Sequence, residues 1–318
     1  MKSIMSKVVS VGSALPENER DNFYYENYLD TNDEWITQRT GIKTRRIWEN
    51  PPADATAQLG ANAAQSALDK AGLTASDIDT VICATFTPDA LMPSTAVVIA
   101  TKLGIDGAFA FDLAAACAGF TFGLTTADAL IKSGQSKRVL LVGSEVISRS
   151  LDWDDRGTCI LFGDGAGAMI LEASEGDAGV IASVNYTDGK LADALALPIW
   201  EENNYLTMNG RAVYRQAVSL MPKQVENALE KAGMTASDID LLVPHQANIR
   251  IIEKVGERLG LPIEKVMINV AKYGNTSSAT IPIALEEAIA SGRIKEGSIV
   301  AITALGGGIT AGAAIIRF

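Results

Sequence analysis

The sequence is poor in the residues that build metal sites and disulfide frameworks. Its 318 residues include a single histidine, His245, and three cysteines, Cys83, Cys117 and Cys159, which lie far apart in the chain. An odd number of widely spaced cysteines fits neither a disulfide framework nor the ligand spacing of a metal site. We therefore expect no metal, and reduced cysteines favour the cytoplasm as the location.

Basic residues and long apolar runs are also scarce. The 27 Lys and Arg residues are outnumbered by 38 Asp and Glu, which gives a net charge of −11. Phosphate backbones attract basic surfaces, so nucleic acid is not an expected partner. No apolar run approaches the ~18 residues of a membrane span. The first residues, MKSIMSKVVSVGSALP, lack the apolar core and cleavage pattern of a signal peptide. We expect no membrane partner and no secretion.

Strand-like apolar segments alternate with helical patterns along the whole chain. Strands are predicted at residues 80–86, 138–143, 241–243 and 266–270, with helices between them. This alternation predicts an α/β layered fold. The helix predicted at 211–231 contains Pro222, which predicts either a kink or two helices.

An internal repeat divides the chain into two halves. The segment ALDKAGLTASDID at 67–79 matches ALEKAGMTASDID at 228–240 in 11 of 13 positions, with an offset of 161. A second alignment, of Ser133-Gly134 with Ser291-Gly292, has an offset of 158 and places Cys117 opposite Asn275. We predict two duplicated halves, 1–174 and 175–318, with Cys117 and Asn275 at equivalent helix starts.

Cys117 lies where a predicted strand turns into a helix. The surrounding segment, DLAAACAGF at 112–120, consists mostly of small residues. Unpaired N–H groups at a helix start favour a thiolate, which would lower the pKa of the cysteine. The segment therefore indicates a nucleophile, although a small buried cysteine would fit it equally well.

His245 and Asn275 are candidates for the same site. Pro244-His245 follows a predicted strand, at the end of an α/β sheet where ligands bind. Three loops from both halves would then bring Cys117, His245 and Asn275 together. More ordinary interpretations remain open: a core or surface histidine, a helix-capping asparagine, and a simple hairpin at the triple glycine 306–308. The GDGAG segment at 163–167 lacks the lysine and the strand–helix context of a phosphate loop.

Five motifs together resemble one enzyme family. They are DLAAACAGF at 112–120, FGDGAG at 162–167, VPHQAN at 243–248, GNTS at 274–277 and GGG at 306–308. The sequence resembles the β-ketoacyl-acyl carrier protein synthase III family from end to end. The resemblance implies a homodimer with the thiolase fold, in which two similar α/β halves form a five-layered αβαβα sandwich. It also implies the initiating condensation of fatty acid synthesis, with a CoA thioester as substrate and no cofactor.

The resemblance assigns a role to each candidate catalytic residue. Cys117 resembles the nucleophile that accepts a short acyl group, such as acetyl, from acyl-CoA. His245 and Asn275 resemble the pair that binds the malonyl thioester oxygen of malonyl-acyl carrier protein. An enolate formed by loss of CO₂ needs such donors, and its attack on the acyl-cysteine would give 3-oxoacyl-acyl carrier protein. The backbone N–H groups of Cys117 and Gly307 would hold the thioester oxyanion.

The resemblance also implies two binding surfaces. The CoA contacts would be Thr31, Trp35, Arg39, Arg156, Gly210, Ala247 and Asn248. The carrier-protein docking segment would be Gln246, Ala247, Asn248, Ile249 and Arg250. Arg250, Lys254 and Arg258 are spaced as a stripe on one helix face, which suits an acidic carrier protein. A solvated face balanced by acidic neighbours explains Lys254 and Arg258 equally well.

Substrate choice and some alternatives stay open. Met92 and Leu305 stand where relatives often place aromatic residues near the acyl pocket, so primer length is not determined. A specialised acyltransferase, or a quinolone- or polyketide-type synthase, could use the same three residues. A hydrolase built on Cys, His and Asn would release a free acid without CO₂. An inactive binding or scaffold protein would not need the three residues.

Overall fold

The computed structural model describes residues 4–199 and 204–318 as alternating strands and helices. The strands are β1 (Met5–Ala14), β2 (Glu19–Asp21), β3 (Thr44–Arg46), β4 (Thr80–Ala84), β5 (Phe109–Leu113), β6 (Arg138–Glu145), β7 (Gly165–Ser174), β8 (Gly179–Thr187), β9 (Leu195–Ala196), β10 (Thr207–Met208), β11 (Leu241–Pro244), β12 (Ile299–Gly306) and β13 (Thr310–Arg317). The helices are α1 (Phe23–Glu26), α2 (Asp33–Thr40), α3 (Ala55–Ala71), α4 (Thr95–Leu103), α5 (Gly119–Lys132), α6 (Gly210–Ala232), α7 (Ile249–Arg258), α8 (Val270–Tyr273) and α9 (Thr280–Ala290).

Two large sheets share the topology of four strands, and the first has β5 as a fifth strand at its edge. The first has the order β1-β7-β6-β4-β5, and the second has the order β8-β13-β12-β11. In each sheet two antiparallel pairings are followed by a parallel one, β6 with β4 and β12 with β11. The strands of the first sheet lie between residues 5 and 174, and those of the second between 179 and 317. The boundary at residue 174 remains a prediction, and it falls between strands of different sheets.

The sheets and helices form five layers. Helices α5 and α9 lie between the two sheets, where Phe120, Leu124 and Leu285 pack with apolar side chains of both. Helices α3 and α4 cover the outer face of the first sheet, and α6 and α7 cover that of the second. Each sheet is thus buried on both faces, which explains its continuous apolar strands. The layers follow the predicted αβαβα order.

The repeated segment folds identically in both halves. Thr74 and Thr235 each begin a capping box that closes on an aspartate three residues later. Asp79 and Asp240 then each hold the backbone N–H at the start of a central strand, Arg138 in one half and Ile299 in the other. These partners keep the offset of 161, so the repeat extends beyond its 13 residues.

The position-by-position pairing of Cys117 with Asn275 is wrong. The two central helices each follow a 3₁₀ turn, Ala116–Ala118 and Ser277–Ala279. Both turns begin with a non-glycine residue at positive φ, Ala116 at 46° and Ser277 at 53°. These starts differ by 277 − 116 = 161, so Cys117 corresponds to Ser278. The offset of 158 holds only at the helix ends because α9 is three residues shorter than α5.

Two local predictions also need correction. Residues 266–270 do not form a strand, since only Val266 bridges to Leu242 of β11 and a short helix begins at Val270. Of the two outcomes predicted for Pro222, two separate helices are wrong, because α6 runs unbroken from Gly210 to Ala232, and a kink stays a prediction. Packing of α6 on the second sheet outweighs the hydrogen bond that proline removes.

Two kinds of feature are absent from residues 4–199 and 204–318. No helix there has the length and apolar content that crossing a membrane would require. Nor does this part of the chain hold a cluster of three or more His, Cys, Asp or Glu side chains that could bind a metal ion.

Candidate active site

Cys117 lies in the 3₁₀ turn between β5 and α5. The turn is closely packed, because a Cβ atom on Gly306 would lie 2.7 Å from the backbone nitrogen of Cys117 and 2.9 Å from that of Ala118. Only glycine lets the end of β12 approach so closely. The hairpin of the second half therefore fixes the backbone that carries the cysteine of the first half.

The thiol of Cys117 is held in its neutral form. Its side chain is buried, and burial raises the pKa of Cys117 to about 12, with the nearby Ser277 hydroxyl acting against this and the Glu145 carboxylate adding to it. The sequence predicted a lowered pKa from the helix start. That prediction is wrong for the free protein, because the energetic cost of removing a thiolate from water is larger than the stabilisation that the surrounding N–H groups give it.

His245 follows β11 and is also buried. Its backbone N–H donates to the carbonyl of Thr303 at 2.8 Å, which continues the ladder between β11 and β12. Its ring Nδ1 lies 2.6 Å from Oγ1 of Thr280, at the start of α9. Burial lowers the pKa of His245 to about 3. The imidazole is therefore neutral at physiological pH, with one N–H to donate.

Asn275 is held by backbone contacts with the first half. Its N–H donates to the Leu161 carbonyl at 2.9 Å, and its carbonyl accepts from the Gly163 N–H at 3.0 Å. Its side-chain Oδ1 accepts from the Ser277 N–H at 2.8 Å. Because the acceptor end of the amide is thus occupied, the NH₂ group is the end left for a ligand.

One cavity of about 310 Å³ brings the three residues together. Cys117, His245 and Asn275 all line it. Six of the seven predicted CoA contacts line it as well: Trp35, Arg39, Arg156, Gly210, Ala247 and Asn248. Thr31 does not line it, although its Oγ1 is buried without a hydrogen-bond partner in the structure. The interpretations of His245 as an ordinary core residue and of Asn275 as a simple cap are therefore not favoured.

Trp35 is flanked by two arginines. The guanidinium carbons of Arg39 and Arg156 lie 4.7 and 4.6 Å from the centre of its ring system. Asn248 fixes this end of α2, because its side-chain NH₂ donates to the Arg39 carbonyl at 3.0 Å while its Oδ1 caps α7. Two guanidinium groups beside an indole can bind phosphates and stack on a flat aromatic ring.

A smaller cavity of about 180 Å³ lies beside Cys117 on an apolar side. Gly307, Phe86, Phe162 and Leu206 line it together with the cysteine. Gly307 thus lines the same cavity as Cys117, and its part in holding the thioester oxyanion remains a prediction. Leu305 lines the larger cavity, whereas Met92 is 86% exposed on the surface of this chain.

The docking segment has one buried member. Gln246 is only 1% exposed, and its NH₂ group donates to the carbonyls of Pro244 and Met267. Its Oε1 accepts from the backbone N–H groups of Asn269 and Val270. A side chain with all its groups so occupied cannot contact a carrier protein, so Gln246 instead holds the loop that positions His245. Arg250 is exposed and hydrogen-bonds the Gln38 carbonyl at 2.8 Å.

Sequence reasoning assigned no role to three residues near the candidate catalytic side chains. Thr280 contacts the histidine, Ser277 orients Asn275, and Glu145 lies fully buried at the end of β6. Glu145 accepts hydrogen bonds from the side chains of Thr85, Thr87 and Ser278. Thr280 and Ser277 lie within five residues of Asn275, so their position was a usable signal. No feature of the sequence pointed to Glu145.

Comparisons with known proteins agree with the geometry. Family profiles described as 3-oxoacyl-[acyl-carrier-protein (ACP)] synthase III and its C-terminal part match residues 111–189 and 229–318. The chain is 48% identical to beta-ketoacyl-[acyl-carrier-protein] synthase III of Allorhizobium ampelinum, over 99% of this chain and 100% of the relative. The crystal structure of 3-oxoacyl-[acyl-carrier-protein] synthase III from Aquifex aeolicus matches with a TM-score of 0.95 and 44% identity, covering 98% of this chain and 100% of that one.

A second kind of solved structure is also similar. The priming beta-ketosynthase from the R1128 polyketide biosynthetic pathway has a TM-score of 0.93 and 36% identity, covering 100% of this chain and 97% of that one. The structural matches confirm the predicted thiolase fold. With identities of this size over their full length, the chain belongs to the β-ketoacyl-[acyl-carrier-protein] synthase III family.

Proposed function

We propose that this condensing enzyme joins a short acyl-CoA, acetyl-CoA first, to malonyl-acyl carrier protein and so initiates fatty acid synthesis. The observation that carries the proposal is the single cavity lined by Cys117, His245 and Asn275, together with the Trp35–arginine cluster. Family membership supports the same reaction. A hydrolase is less well supported, because Asn275 is held by Ser277 and not by the histidine.

In the first half-reaction the Cys117 sulfur attacks the acyl-CoA carbonyl. A new carbon–sulfur bond forms at Cys117, the bond to the CoA sulfur breaks, and the cysteine proton ends on the released CoA thiol. Backbone N–H groups of Cys117 and Gly307 hold the negative charge on the carbonyl oxygen. Trp35, Arg39 and Arg156 bind the nucleotide end of CoA, and the smaller cavity takes the acyl chain.

In the second half-reaction the malonyl thioester oxygen lies between His245 and Asn275. Loss of CO₂ leaves an electron pair on the neighbouring carbon, and donors from the imidazole and the amide stabilise the resulting enolate. The enolate carbon attacks the acyl-cysteine carbonyl, the bond to the Cys117 sulfur breaks, and the departing thiolate takes up a proton from water to restore the neutral thiol. A neutral imidazole suits this step, because it donates a hydrogen bond without itself needing a charge change.

We also propose that the enzyme works as a homodimer through the edge of its first sheet. Strand β5 is an edge strand whose Phe109 is exposed, and Leu91, Met92 and Val97 are exposed as well. An edge strand with apolar neighbours favours pairing with another chain. A second copy would also explain how Met92 could approach an acyl pocket.

The acidic carrier protein would dock at Arg250 and Ile249. A cytoplasmic location remains a prediction from cysteine usage.

The test follows both half-reactions by mass spectrometry. The purified protein is incubated with acetyl-CoA and malonyl-acyl carrier protein, beside the variants Cys117→Ser and Cys83→Ala. Cys83 is an equally buried cysteine that lines neither cavity. We expect acetoacetyl-carrier protein, formed with release of CO₂, from the wild type and Cys83→Ala only.

Three other results would contradict the proposal. Acylated Cys117 without condensation would indicate a specialised acyltransferase with another acceptor. Free acid without CO₂ from malonyl-acyl carrier protein would indicate a hydrolase. No acylation by any acyl-CoA would indicate a binding protein.

A further inference from the structure

His245 has a buried hydroxyl as its ring partner. Oγ1 of Thr280 lies 2.6 Å from Nδ1, and both residues are almost fully buried. Thr280 lies 35 positions later in the chain, at the first turn of α9. Since a neutral imidazole carries its proton on one nitrogen only, the direction of this hydrogen bond decides which nitrogen donates into the cavity.

Two arrangements of protons fit these positions. In the first, the Thr280 hydroxyl donates to the Ser277 carbonyl at 3.0 Å, and Nδ1–H of His245 donates to Oγ1. Nε2 then has a lone pair and could accept a proton from Cys117, as in a cysteine hydrolase. In the second, the hydroxyl donates to Nδ1, and Nε2 carries the proton.

The first arrangement makes a hydrogen bond of both hydroxyl contacts, whereas the second gives up the one to the Ser277 carbonyl. That carbonyl keeps the backbone N–H of Thr280 as its donor in either case, so the second arrangement leaves it hydrogen-bonded. The contact to Nδ1 is the shorter of the two hydroxyl contacts. The same turn also holds the acceptor end of Asn275, through the Ser277 N–H. In the second arrangement, this one turn at the start of α9 leaves two groups to donate to a ligand: Nε2–H of His245 and the side-chain NH₂ of Asn275.

We propose that Thr280 is a positioning residue, whose hydroxyl donates to Nδ1 of His245 and fixes the proton on Nε2. This inference rests on the proposed condensation, in which Nε2–H donates to the malonyl thioester oxygen. It predicts that Thr280 matters for the malonyl half-reaction and not for acylation of Cys117.

The single histidine of the chain makes the proton position measurable. Untagged protein labelled with ¹⁵N-histidine gives one pair of ring nitrogen signals, whose shifts report which nitrogen carries the proton. We expect the Nε2–H form in the wild type and in Thr280→Ser, and a mixture of both forms in Thr280→Val. A wild-type Nδ1–H form would overturn the inference, even if Thr280→Val fails to fold.

Kinetics provide the second measurement. We expect Thr280→Val to slow condensation with malonyl-acyl carrier protein by about 10- to 100-fold, by analogy with the loss of a partner that orients a metal-ligating histidine. Acylation by acetyl-CoA should stay close to the wild-type rate, and Thr280→Ser should recover condensation. Equal losses in both half-reactions with an unchanged proton position would mean a structural role and overturn the inference. A wild type without condensation would contradict the proposed function, whereas the NMR result would still decide the proton position.

Discussion

Cys117 and His245 are both buried, and burial favours the uncharged form of each side chain. Residue type alone indicated a thiolate at a helix start, but the neighbours of the sulfur decide otherwise. A neutral thiol beside a neutral imidazole leaves the free enzyme without an ion pair at its centre. Charge then develops only when substrate arrives, where backbone and side-chain N–H groups can stabilise it.

The neutral thiol predicts a particular pH dependence of alkylation. We expect the rate of Cys117 modification by iodoacetamide to rise about tenfold for each pH unit between about pH 7 and 9, because the thiolate fraction does so below the pKa. Mass spectrometry of the modified peptide measures the rate, with Cys117→Ser giving the background from other sites. A plateau near neutral pH would mean a lowered pKa and contradict this account.

Glu145 predicts a pH dependence of stability. Burial raises its pKa to about 7 from a usual value of 4.5, against the opposing effect of its hydroxyl and N–H donors. Between these values the folded chain keeps a proton that the unfolded chain releases, so this group makes the free energy of unfolding fall as pH rises. In the wild type the free energy of unfolding should fall by about 3 kcal/mol between the two pKa values, at about 1.4 kcal/mol for each pH unit. We expect this fall to be absent from Glu145→Gln, because glutamine does not titrate.

Urea unfolding of both proteins at several pH values measures this difference. His245 acts in the opposite direction, because its pKa is lowered to about 3 and its stability is lost as pH falls below 6.5. That contribution is present in both proteins and cancels in the comparison. Parallel curves for the wild type and Glu145→Gln would show that Glu145 titrates normally.

At the scale of elements, the site depends on a contact between the two halves. The end of β12 lies against the turn that carries Cys117, and β11 and α9 bring His245 and Thr280 together. The repeat explains this arrangement, since it places equivalent central helices side by side between the sheets. Sequence patterns predicted these elements, but not the distances between their ends.

Gly306 tests the contact between hairpin and turn. We expect Gly306→Ala to lose about 1–3 kcal/mol of stability through overpacking and to slow acylation of Cys117, because the added Cβ meets the backbone N–H groups beside it. Gly189→Ala is the matched control, since a Cβ there meets no atom within 4 Å. Urea unfolding and acylation by radiolabelled acetyl-CoA provide the measurements. Equal behaviour of the two variants would contradict the close packing.

At the scale of the whole molecule, the edge of the first sheet at β5 is only partly covered by the described residues. Strand β5 ends the first sheet, and its side chains are only partly buried although the neighbouring strand β4 is fully buried. The corresponding edge of the second sheet is covered by the Val266 bridge. This difference between duplicated halves supports a second copy as the partner of β5.

Phe109 tests the proposed dimer. We expect the wild type to be a dimer and Phe109→Lys to shift towards monomer, because a buried charge at the interface has no partner. Ile263→Lys, at an exposed apolar residue next to α7, is the matched control and should remain dimeric. Light scattering after size-exclusion chromatography measures the mass. A monomeric wild type, or equal effects of both variants, would contradict the proposed interface.

The sequence by itself determined the layered α/β class, the duplication and the choice of Cys117, His245 and Asn275 as candidate catalytic residues. Those features are local, since they depend on strand and helix patterns, a 13-residue repeat and short motifs. Only the tertiary structure decided the neutral states of Cys117 and His245, the structural role of Gln246, and the place of Thr280 and Glu145. A pKa and a hydrogen-bond partner depend on burial and on residues distant in the chain, and packing also kept α6 continuous through Pro222.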